Sequence, residues 1–187
     1  MSSKFEQTIV AQTKSWLQEV VIGLNFCPFA KPVFEQDKIH YHVSTARAFE
    51  DCLEDLIAEA EYLEANTPIE TSLLIFPDAL EDFEEFLDAL EVAEALMTAQ
   101  GYEGVYQLAS FHPQYCFEGS DETDAANYTN RSPFPMLHLI REASLEQALL
   151  HYKNDVNLIP ETNMQLARQL GVEKMQSFLT KSLQEKA

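Results

Sequence analysis

Short apolar runs alternate with amphipathic stretches of about twenty residues through the middle of this chain, and that alternation restricts it to few architectures. Lys38–Val43 places Ile39, Tyr41 and Val43 on one side and Lys38, His40 and His42 on the other, the pattern of a half-exposed strand. Residues 46–65 then put Phe49, Leu53, Leu56, Ala60 and Leu63 at helical spacing. Thr71–Phe76 is an apolar run between Pro68 and Pro77, which predicts a strand buried on both faces. A second helix is expected over residues 79–100, opened by the capping-box pattern of Asp78 and Glu81 and closed by Gly101. Gly104–Phe111 is a third strand, and Met136–Arg141 a fourth.

Strand–helix–strand–helix–strand is the order of parallel strands joined by helical crossovers. The expected fold is therefore α/β (or α+β): a mixed, largely parallel sheet of about four strands with crossover helices plus N- and C-terminal helices. Ile9, Thr13, Trp16, Val20 and Leu24 predict an N-terminal helix from Phe5 to Leu24, with Gly23 as a stop signal. The stretch GLNFCPFAKPVF after it is expected to be non-helical, because Pro28 and Pro32 lack backbone donors. Short helices follow over roughly residues 144–152, 161–170 and 172–184. At 187 residues and 46% apolar, residues 1–187 are expected to form a single domain, with helices 144–187 as an alternative appendage.

Charge excludes several functions. The formal net charge is −19, and residues 51–100 hold fifteen acids and no base. Nucleic acid and anionic membrane surfaces both need the opposite sign, so neither is expected as a partner. No apolar run is long enough for a membrane span, and the first residues lack the order of a secretory leader. Three cysteines are too few for a disulfide framework, so a cytoplasmic protein is expected. The acidic helices 46–65 and 79–100 are either solvated faces or a docking surface for a basic protein partner.

The segment from His112 to Pro135 is long for a connection and unusually polar. It starts where a strand delivers His112 to the carboxyl edge of the sheet, the usual place for a site in open α/β folds. Arg131 and Arg141 are the only bases between Arg47 and Lys153. Arginine offers a planar fork of donors suited to carboxylate or phosphate, or to an internal acid such as Asp121, Asp124 or Glu142. The candidate ligand-binding residues are Arg131, Asn127, Asn130, Arg141 and Tyr115, and the ligand expected is an anionic small molecule. His112 is the candidate for proton transfer and Cys27 the candidate nucleophile. Cys52 falls on a buried helical stripe, and His138 lies on an apolar strand face where core packing is the simpler account.

His40 and His42 have a legal chelating spacing, but no third ligand lies near them in sequence and an exposed strand face explains them equally well. No metal site and no cofactor are expected. Phosphate-loop, dinucleotide and nucleophile-elbow signatures are absent, and five glycines leave little room for a phosphate cradle.

Two longer strings, GLNFCPFAKPV and YQLASFHPQYCFEG…NYTNRSPFPMLHLIRE, resemble the small bacterial proteins of domain of unknown function 1415. The resemblance covers nearly the whole chain. It implies a bacterial cytoplasmic protein and carries over no catalytic residue. Function rests on two alternatives: a small-molecule enzyme or ligand-binding protein with an anion-accepting pocket formed by residues 112–135 and the Cys27 loop, or an interaction module docking a basic partner.

Overall fold

The computed structural model describes residues 3–186. The chain divides into two compact units, each assembled from separated stretches. A sheet unit comprises residues 33–111 and 134–151; a helical unit comprises the described residues up to 32, residues 112–133, and those from 152 onward.

The sheet unit contains β1 (Ile39–Val43), α3 (Phe49–Ala65), β2 (Thr71–Ile75), α4 (Phe83–Ala99), β3 (Tyr106–Phe111), β4 (Met136–Arg141) and α5 (Glu142–His151). Strand order is β1-β2-β4-β3, with β1 and β2 parallel and β4 antiparallel to both its neighbours. The mixed α/β class stands, but the largely parallel sheet needs correction at the level of pairing. Three strands run the same way, yet only one of the three pairings is parallel. The α4 crossover leaves a slot one strand wide between β2 and β3, and the chain returns through it in the opposite direction. Consequently the carboxyl ends of β1, β2 and β3 lie on one edge of the sheet, with the start of β4 beside them.

Alternation along β2 and β4 sends Leu74, Phe76, Leu137 and Leu139 to one face. There they form a core with Cys52, Leu56, Ala60 and Leu63 of α3 and Phe86, Ala93 and Met97 of α4. Every residue of β2 is buried, as a strand flanked on both sides by others should be. Helix α4 starts at residue 83 rather than 79. Leu80 adopts a left-handed φ of 58°, and Asp82 rather than Asp78 caps the helix by accepting from the amides of Glu84 and Glu85. The expected capping box thus sits one turn too early.

The helical unit holds α1 (Lys4–Trp16), α6 (Ile159–Leu170) and α7 (Val172–Ser182). Ser3 and Glu6 form a reciprocal cap at the start of α1. After Trp16 the helix widens into a π-helical stretch, Leu17–Ile22. A Cβ at Gly23 would stand 2.5 Å from the Glu19 carbonyl oxygen, so this turn closes only on glycine. Gln12 Nε2 donates to the Leu183 carbonyl at 2.7 Å, tying α1 to the end of α7.

One further correction concerns the proline-containing stretch. Residues Ala30–Glu35 form a short helix, α2, despite Pro32. The proline falls in the first turn, where its missing N–H has no intrahelical partner to lose. Among the described residues, no helix is long and apolar enough to cross a membrane.

Candidate functional site: the 112–133 loop and a buried carboxylate

The long loop is ordered by its own side chains. The amide of His112 donates to the Asn130 carbonyl at 3.2 Å, closing the two ends. Asn127 is fully buried: its Oδ1 accepts from the Phe117 amide at 3.1 Å and its Nδ2 donates to the Asp121 carbonyl at 2.9 Å. Asp124 caps the 3-10 turn Ala125–Thr129 and receives the fork of Arg168 at 2.7 to 3.2 Å. That guanidinium holds the Asp124 carboxyl below its ordinary range. Tyr128 donates to Gln176 of α7 at 2.6 Å.

Arg131 sits at the loop's far end with its guanidinium 4.6 Å above the Tyr128 ring. Nε donates to the Tyr115 carbonyl and an Nη to the Glu122 carbonyl, both at 3.0 Å. Its own carbonyl accepts from Trp16 Nε1 at 3.1 Å. All these partners are neutral. Asp124, one of the three acids that offered Arg131 an internal partner, is taken by Arg168 instead.

The other sequence candidates divide. Asn130 accepts from the Thr129 hydroxyl at 3.3 Å, and Tyr115 packs edge-on against Phe117. His112 is fully buried, and its Nδ1 accepts from the Gln114 amide at 3.0 Å. The Cys27 thiol lies near the amides of Phe29 and Ala30; burial pushes its pKa up, so it is a thiol rather than a thiolate. Arg141 lies in the sheet unit, not with Arg131. It donates to the carbonyls of Leu63, Asn66 and Ile69 and to the Tyr106 hydroxyl, closing the C-terminus of α3.

His138, half-buried on β4, faces Thr71 at 2.6 Å. Thr71 donates its hydroxyl proton to the Leu139 carbonyl, so the imidazole supplies the other proton through Nε2–H. Burial pulls the ring down to about 4. A depressed imidazole contributes stability above its unfolded pKa, and that contribution is lost as pH falls from about 6.5 towards 4. Urea denaturation of His138→Gln should therefore lack a decline of roughly 3 kcal/mol that the parent shows across that window. Identical pH slopes would show that the ring is not desolvated.

One arrangement was not expected from sequence. Glu59 of α3, 2% exposed, accepts from His40 Nδ1 at 2.9 Å, His42 Nδ1 at 2.9 Å and Ser72 Oγ at 2.5 Å. Burial raises the Glu59 pKa, but these three donors together more than offset it and hold the carboxyl at about 2. The signal was present: Glu59 lies between Leu56 and Leu63 on the apolar stripe of its helix, where a lone acid needs partners.

Fold and loop together define a mixed α/β protein with an ordered polar loop carrying an arginine paired to neutral groups. The chain belongs to the family described as protein of unknown function (DUF1415), whose profile matches residues 8–177. Comparison with curated proteins and with solved structures returns no match.

Proposed function

We propose that this chain binds a small anionic ligand through Arg131 on the 112–133 loop. The observation that carries this is the choice of partners around the guanidinium: two carbonyls and an aromatic ring and, among the described residues, no carboxylate. In a chain of net charge −19, a partly exposed arginine that is pinned without being neutralised keeps its charge for something else. The carbonyl contacts and the Tyr128 ring fix the plane of the fork, so little rotamer freedom is left to lose on binding. His112 and Cys27 are not needed for this function, so the proposal is a binding site and stops short of a reaction.

The test is a titration of the full chain with inorganic phosphate and with citrate, read by thermal shift and calorimetry. At least one anion should raise the melting temperature of the parent protein. Arg131→Lys keeps the charge but loses the fork, and should weaken binding at least tenfold; Arg131→Met should abolish it. No response in the parent, or the same response in Arg131→Met, would overturn the proposal.

A second use has one specific observation in its favour. A groove is lined by the apolar Phe49, Leu80, Ala89 and Val92 and by Glu85, Asp88 and a single base, Arg47, and Val92 is 42% exposed. Apolar side chains beside a net negative charge suit a basic amphipathic segment. Binding of such a peptide should weaken steeply with salt and be lost in Val92→Glu.

A further inference from the structure

We infer that the helical unit carries a second binding site, for an uncharged polyhydroxylated ligand of mono- or disaccharide size. It is the cavity of about 470 Å3 between the loop that follows the π-helical stretch and the start of α6. Arg131 is not among the residues that line it, so this site stands apart from the anion site proposed above.

Three contacts hold the walls. Asn163 of α6 donates from Nδ2 to the Phe26 carbonyl at 2.7 Å, which fixes the helix against the loop. Phe29 meets the Tyr152 ring edge-on, with centroids 5.2 Å apart. Asp155 accepts from the Asn157 amide at 2.9 Å and caps the 3-10 turn Val156–Leu158 that leads into α6. Asn25 shapes the loop itself by taking a left-handed φ of 56°, a conformation that asparagine adopts more readily than most residues. Walls tied before the ligand arrives lose little further freedom on binding. The string GLNFCPFAKPV supplies Asn25 and Pro28 to the lining, a use that does not require the Cys27 thiol to react.

The lining selects its ligand by what it offers and what it lacks. Asn25, Tyr152, Asn154 and Thr162 border the cavity, and among the described residues their side chains have no hydrogen-bond partner. Two primary amides, a phenol and a hydroxyl each donate and accept. A ligand hydroxyl also does both, so neighbouring hydroxyls match this lining, whereas a carboxylate or an ammonium uses only half of it. No lysine or arginine is among the described residues around the cavity, so an anion finds no counter-charge. Its one carboxylate, Asp155, spends Oδ1 on the amide and the side chain of Asn157, at 2.9 Å each. Pro28, Ile159 and Leu158, the last 54% exposed, add the apolar surface on which the C–H face of a sugar ring rests. The volume falls within the range of about 300–1,000 Å3 typical of small-molecule pockets.

The experiment is a titration of the full, isotope-labelled chain with glucose, N-acetylglucosamine and maltose, followed by two-dimensional NMR of backbone and side-chain amides. At least one saccharide should give saturable shifts centred on the side-chain amides of Asn25, Asn154 and Asn163. Asn154 and Thr162 are both exposed, so their joint replacement by alanine leaves the fold in place. That double variant should bind about tenfold more weakly, the loss expected from two hydrogen bonds. Arg131→Met should bind the saccharide as the parent does, and inorganic phosphate should leave these amides unmoved. No saturable shift with any of the three saccharides, shifts centred away from the cavity, or unchanged affinity in the double variant would each overturn the proposal. So would loss of saccharide binding in Arg131→Met, or an equal response of the same amides to phosphate.

Discussion

Glu59→Ala should be about 3 kcal/mol less stable than the parent at neutral pH, measured by urea denaturation monitored through Trp16 fluorescence and circular dichroism. The substitution removes the shared acceptor of His40, His42 and Ser72, and Ser72 is itself fully buried. It also opens a gap where α3 meets β1 and β2. The loss should depend on pH in a definite sense. A depressed carboxyl contributes stability above its unfolded pKa of about 4.5 and loses it as pH falls towards the folded value of about 2. The parent and Glu59→Ala should therefore converge in acid between those two values. A difference that stays constant down to pH 2 would show that packing, not the ionised carboxylate, makes the contribution.

Arg141→Met is expected to cost a similar amount, about 3 kcal/mol, for a different reason. A helix ends with carbonyls that its own backbone cannot satisfy. In α3 the Arg141 guanidinium reaches the carbonyls of Leu63 and Asn66 and continues to Ile69, so one side chain closes the helix and fixes the turn into β2. It also approaches the Tyr106 ring at 5.6 Å and the Tyr106 hydroxyl at 3.2 Å, which anchors it from the β3 side. Methionine preserves much of the volume and none of the donors, so the loss isolates the hydrogen bonds. Hydrogen exchange should show faster opening of amides near residues 63–71 than elsewhere in the sheet. Unchanged stability in Arg141→Met would mean that water caps α3 as well as the arginine does.

Each unit has one arginine drawn from an otherwise acidic stretch, and the two are used differently. Arg141 spends its donors on carbonyls at a helix end, whereas Arg131 keeps an accessible edge after binding two loop carbonyls. Residue type was the same for both in the sequence. Their partners come from positions up to 78 residues distant, such as Leu63 for Arg141.

What the sequence determined by itself is the list of elements. Periodicity located all four strands and the main helices, because burial of one face imposes a period of two or near 3.6 that local residues must obey. The buried character of β2 and of Cys52 followed from the same rule. Helix ends were less legible: Leu80 turns left-handed and Asp82 takes the cap, a choice between two similar acids made by local backbone geometry. The tertiary structure alone decided which strand fills the gap between β2 and β3, since any strand returning from the long loop could pair there antiparallel. It alone decided that Asp124 belongs to Arg168, and that His40 and His42 meet Glu59. Those contacts join residues 19 and 44 positions apart, and the sequence carries no term for such distances until the sheet and helices are packed.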